Sequence, residues 1–143
     1  MREIKFRGKS ENTNQWVYGY YIKGATRHCI KPYLPTYPTY DIKIETLGQY
    51  IGLKDKTSKD IYEGDIIKWY GELLVVKYGQ YITTRESNEF GKHFKDVQSF
   101  GWYGERQCSY TKNQGIEIDV VKYGEVIGNI FDNPELLEGK KDE

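Results

Sequence analysis

The 143 residues fall within the range of one domain, and 21 basic side chains balance 21 acidic ones, so no global field draws in nucleic acid or an anionic membrane surface. Apolar residues make up 38% of the chain, but fourteen tyrosines, five phenylalanines and three tryptophans argue against disorder and favour strands over helices. Two cysteines, Cys29 and Cys108, form neither a disulfide framework nor a CxxC site, no signal-peptide pattern opens the sequence, and no apolar run approaches the roughly 20 residues of a membrane span, which points to a cytoplasmic protein.

Ile4 and Phe6 alternate with Lys5 and Arg7 at the period of a half-buried strand. A polar turn over residues 8–14 follows, and Trp16, Tyr18, Tyr20 and Ile22 then recur at spacing two, so residues 2–22 read as a β-hairpin closed by Gly24. Residues 27–31 can pair as a short strand. Pro32, Pro35 and Pro38, interleaved with Tyr33, Tyr37 and Tyr40, give no regular ladder because proline lacks the amide donor, so this stretch is a loop that packs its rings back or presents them to a partner.

Strand character resumes at Ile42–Leu53 on both sides of Gly48, followed by a charged turn at 54–60 and a Gly64–Asp65 entry into the apolar run Ile66–Trp69. Gly71 and Glu72 turn the chain into Leu73–Tyr78, and Tyr81–Arg85 continues the meander. Residues 86–99 show no clean period and read as an irregular excursion or one helical turn. Phe100–Tyr110 is rich in aromatics and glycine, Ile116–Tyr123 alternates as a strand, and Glu125–Phe131 is the last strand. Asn133 as N-cap with Pro134 at the first helical position predicts a single helical turn through Leu137, leaving 138–143 as a solvated tail on one domain spanning 1–137. The pentapeptide VVKYG at 75–79 recurs at 120–124, and two units are too few for a repeat architecture.

Three stretches carry a family resemblance: Arg2–Arg7, Tyr50–Ile67 (YIGLKDKTSKDIYEGDII) and Val126–Leu137 (VIGNIFDNPELL). They are similar to the YopX-like family of phage and prophage proteins of Gram-positive bacteria. The resemblance implies a mostly β protein with an SH3-like β-barrel core, extra hairpins and one short C-terminal helical turn, in the cytoplasm of a bacterial host. It implies no activity, and the motif residues themselves are architectural.

No set of residues forms a catalytic or cofactor signature: P-loop, GxGxxG and GxSxG patterns are all missing from the sequence. His28, Cys29, His93 and Cys108 match no zinc spacing, and neighbours in a strand such as His28 and Cys29 point to opposite faces, so no metal is expected. Asp55, Asp60, Glu63 and Asp65 cluster, but Lys54, Lys56, Lys59 and Lys68 interleave with them and turn chemistry accounts for the group.

The expected function is therefore a non-enzymatic protein-binding module for a host or phage protein, anchored by Tyr33, Tyr37 and Tyr40, with self-association as one way to cover open strand edges. The alternative is nucleic-acid binding. Residues 1–31 hold seven basic groups against two acidic ones, and Lys5, Arg7, Lys9, Lys23 and Arg27 are placed to contact phosphates while Trp16, Tyr18 and Tyr20 stack on bases.

Overall fold

The computed structural model describes residues 3–87, 94–107 and 114–138. The chain divides into two compact units, one formed by residues 1–53 and 60–63, the other by 54–59 and 64–143.

The first unit holds β1 (Phe6–Ser10), β2 (Trp16–Lys23), β3 (His28–Lys31), β4 (Tyr40–Lys54) and β5 (Asp60–Tyr62). They form one sheet in the order β1-β2-β3-β4-β5, and β1 pairs with β4 as well as with β2. Each of β1, β2, β3 and β4 therefore has a partner on both sides, and the pairings close on themselves. Two glycines permit the close approach this requires. A Cβ on Gly19 would sit 2.1 Å from the carbonyl oxygen of Lys31, and one on Gly8 would sit 2.8 Å from Ile42 Cδ1. Ile30, Ile42, Tyr50, Ile51, Ile61 and Tyr62 are buried in this unit.

The hairpin is present, with its turn at residues 11–15 and not at 8–14, because Gly8, Lys9 and Ser10 continue β1. Ser10 organises that turn, its hydroxyl accepting from the amides of Asn12 and Thr13. The loop after β3 is irregular, as its prolines require, but Tyr40 lies inside β4 opposite Ile30.

The second unit holds β6 (Asp65–Trp69), β7 (Glu72–Ser87), β8 (Phe94–Arg106), β9 (Gly115–Glu117), the single helical turn α1 (Ile118–Val121), β10 (Glu125–Asn129) and a 3₁₀ turn at Pro134–Leu137. Its sheet runs β10-β6-β7-β8-β9, with every neighbouring pair antiparallel. Ile66, Ile67, Leu74, Val75, Val76, Tyr81, Tyr103, Val121 and Val126 are buried.

Four expectations are corrected here. Leu73–Tyr78 and Tyr81–Arg85 are one continuous strand, and of the stretch 86–99, expected to be irregular or one helical turn, residues 86–87 end β7 and 94–99 belong to β8, paired from Ser87 with Phe94 onward, while 88–93 lie outside the described residues. Ile116–Tyr123 is not a strand throughout, since the chain coils into α1 at Ile118, which buries Val121. The 3₁₀ turn has Pro134 at its start as predicted, but Asn133 makes no side-chain cap bond. Its Oδ1 accepts instead from the amide of Asn129 at 3.2 Å, under Gly128, where a Cβ would meet that same oxygen at 2.5 Å. The two VVKYG copies lie in unlike structures, the first in β7 and the second across α1 and its exit turn.

Within this unit Asp55 joins two of the stretches that carry the family resemblance. Its Oδ1 accepts from the amides of Thr57 (2.8 Å) and Lys59 (2.9 Å) and from the Thr57 hydroxyl (2.7 Å), while Oδ2 accepts from the amide of Val126 at 2.8 Å. Gly64, at φ +89°, makes a second junction: its amide donates to Val76 O and its carbonyl accepts from the amide of Ile130.

Candidate functional site

Directly opposed residues of an antiparallel pair share a face of the sheet, so the register of the first unit sorts its side chains. Phe6 opposes Gly19, Gly8 opposes Val17 and Tyr21 opposes Ile30, which puts the small and apolar residues on the inner face. Arg7 opposes Tyr18, Lys9 opposes Trp16, Tyr20 opposes Lys31 and Ile22 opposes Cys29, and this is the outer face. Trp16, Tyr18, Tyr20 and Ile22 thus take the outer side of β2, while Gly19 on the other side leaves room for the closely approaching backbone of Lys31. Tyr18, Tyr20 and Ile22 are all exposed.

The cations of β1 and Lys5 just ahead of it are met by rings and carboxylates of their own unit. Arg7 is only 6% exposed, its guanidinium lying 4.6 Å from the Trp16 ring centroid and 4.8 Å from that of Tyr62. Lys9 stands 5.5 Å over Trp16. The Lys5 ammonium lies 4.5 Å over Tyr50 and donates to Asp60 Oδ2 at 2.7 Å. Burial pulls the Lys5 pKa down, but the hydrogen bond to Asp60 and the field of nearby Tyr62, Asp60 and Glu3 outweigh it and hold the value above the ordinary lysine range. Burial likewise pushes the Tyr62 phenol up.

The far end of the unit is organised differently. Arg27 makes a two-pronged contact with Asp41, through Nε at 3.0 Å and through Nη2. That hydrogen bond, with a second from the Cys29 thiol at 3.2 Å, holds the Asp41 carboxyl below its ordinary value. The same Asp41 contact, reinforced by burial, raises the Cys29 thiol, the reverse of what an activated nucleophile needs. Lys23 is exposed at the end of β2. His28 Nδ1 lies 2.6 Å from the Tyr21 hydroxyl, in stacked contact with that ring. Among the described residues no three His, Cys, Asp or Glu side chains gather to hold a metal, and His93 and Cys108 lie outside those residues.

The Pro/Tyr loop borders the outer face. The Lys31 ammonium donates to the Tyr37 carbonyl, and the Tyr37 amide closes a turn onto Leu34 O at 3.1 Å. Tyr33 packs edge-on against Tyr20, with centroids 4.6 Å apart and planes at 89°. Tyr33 and Tyr37 remain 43% and 48% exposed, whereas Tyr40, the third ring expected to serve as an anchor, is half-buried in β4. Sequence reasoning passed over Ile4, Ile22 and Leu34, all exposed beside these tyrosines or in the same loop. A signal existed in Gly19, since a glycine inside a strand marks a close backbone approach, which fixes which face of β2 turns inward.

The second unit carries an aromatic group of its own on the β7–β8 ribbon, where Tyr78 sits 4.9 Å from Trp102 and 5.3 Å from Phe100. Among the described residues no helix is long and apolar enough to cross a membrane.

Comparison with known proteins gives a family and a fold. A family model described as YopX protein matches residues 5–138. The crystal structure of protein EF1440 from Enterococcus faecalis is similar to this chain with a TM-score of 0.50 and 19% sequence identity, over 96% of this chain and 100% of that one. No curated protein matches.

Proposed function

The chain belongs to the YopX family, and from that premise we propose that it is a phage- or prophage-encoded, non-enzymatic protein-binding module acting in the cytoplasm of a bacterial host. We read the closed cycle of β1 to β4 as an SH3-like barrel, with the remaining strands as added hairpins.

The observation that carries the reading is the outer face of the first unit. Tyr18, Tyr20, Ile22, Tyr33 and Tyr37 expose rings and branched chains on one side of β2 and its neighbouring loop. Tyrosine supplies large contact area at low entropic cost and is enriched at binding hot spots. The cations beside it are already engaged, Lys5 by Asp60, Arg7 by Trp16 and Tyr62, and Arg27 by Asp41. That lowers what they offer to phosphates. The partner is a host or phage protein, or a second copy of the chain.

The test is capture from bacterial lysate at two salt concentrations by the intact protein and by a Tyr18→Ser, Tyr20→Ser variant. Capture that persists at high salt and is lost in the variant is the expected result, since aromatic interfaces are weakly screened. Capture unaffected by the variant would overturn the reading.

A second reading, nucleic-acid binding, is favoured by the register of cations against rings on that same face, Lys9 opposite Trp16 and Arg7 opposite Tyr18. It requires anisotropy of labelled single-stranded oligonucleotides to rise at low salt and to collapse at physiological salt.

A further inference from the structure

Glu3 and Ile4, just ahead of β1, Tyr20 on the outer face of β2 and Tyr33 in the Pro/Tyr loop line an open cleft of about 440 Å³. The two rings meet nearly at a right angle, so they form a corner and not a closed stack. Both are exposed, Tyr20 by 56%.

Among the residues that line the cleft Glu3 carries the one formal charge, a negative one. Aromatic faces present the negative lobe of the ring quadrupole, and two rings set at an angle attract a cation from two directions. The Glu3 carboxylate stands at the same cleft with its side chain 64% exposed, and its contact with Lys5 is the looser of two: 3.4 Å, against 2.7 Å for the hydrogen bond Lys5 gives to Asp60. Ile4 adds an apolar wall against which a methylene stem can lie while its charged head reaches the rings and the carboxylate. A phosphate would meet Glu3 and the ring faces with the wrong charge.

We propose that this cleft receives a lysine or arginine side chain from a partner protein, held between Tyr20, Tyr33 and Glu3 with its stem on Ile4. The inference rests on the protein-binding reading above and gives the chemistry of the partner at one point. It makes Glu3 the determinant of specificity and Tyr33 the wall supplied by the loop after β3, packed edge-on against Tyr20.

The experiment is an NMR titration of the full chain, following the Ile4 methyl and the Tyr20 and Tyr33 ring signals. The probes are three short Gly/Ser peptides that differ at one central residue: lysine, arginine or Nε-acetyl-lysine. Shifts at these signals with the lysine and arginine peptides and none with acetyl-lysine are expected. Glu3→Gln should weaken binding by about fivefold, the effect of one partly exposed charge pair. Tyr33→Ala should abolish it, with the dispersion of the remaining spectrum reporting that the variant is folded. Equal shifts with acetyl-lysine would overturn the cation and leave the protein-docking reading standing. No shift with any peptide would overturn the inference alone, since lysate capture tests the broader reading independently. Shifts produced at the same signals by a short oligouridylate in place of the peptides would overturn both.

Discussion

Arg7 and Asp55 show how single residues escape a pattern. Alternation assigns Arg7 to the polar side of β1, and the strand does alternate, yet Trp16 and Tyr62 cover the guanidinium and leave it buried. Charge gives no hint of this, because the covering rings come from β2 and β5, the latter more than 50 residues away in sequence. Asp55 reads correctly as a turn residue, but its fourth hydrogen bond, from Val126, is invisible to local chemistry. Burial alone would raise the Asp55 carboxyl. The amides of Val126, Lys59 and Thr57 together with the Thr57 hydroxyl overcome that and hold it below the ordinary range. A depressed folded-state value means the stabilisation is complete above the unfolded value near ~3.9 and is lost as pH falls through the folded one. Asp55→Ala should therefore cost about 2–3 kcal/mol near neutrality, read by urea unfolding, and should flatten the loss of stability on acidification.

At the scale of elements, the shorter strands were legible and the full length of β7 and β8 was not. β6 and β10 have partners on the sheet and buried residues of their own, whereas β7 and β8 pair with each other out to Ser87 and Phe94, beyond the residues that pair with β6 and β9, and their register shifts between Ile82 and Thr84. A register shift breaks the period of two there, and α1 is a second departure from it, where four residues coil to bury one valine. The aromatic outer face of β2 was half legible: the spacing of Trp16, Tyr18 and Tyr20 was plain, but which side they take depends on Gly8 and Gly19 facing closely packed neighbours. In the ribbon, Gly79 and Gly101 oppose one another at φ of +145° and +143°, with open space where each Cβ would stand. Alanine at either position meets no clash but a disfavoured backbone, so each substitution should lower stability by about 1 kcal/mol, with loss of amide protection confined to the neighbouring ribbon.

Across the whole molecule, each compact unit has its own buried residues, and hydrogen exchange should report them separately. Gly19→Ala, which drives a Cβ into the Lys31 carbonyl, should expose the amides of Ile30 and Ile42 while those of Ile67 and Val76 stay protected. Asp55→Ala should do the reverse. Both patterns unchanged, or both lost together, would contradict the division. The chain passes between the units three times within eleven residues, after Leu53, Lys59 and Glu63. This interlacing sets a timetable for synthesis. Every strand of the first unit has left the ribosome once Glu63 has cleared the exit tunnel, so that unit is free to close early. The second cannot: Asp55 and Gly64 must wait for Val126 and Ile130, translated some 70 residues later, before their hydrogen bonds exist. During that interval the Asp55 turn is held at one end only, while every strand of the first unit is already available to pair.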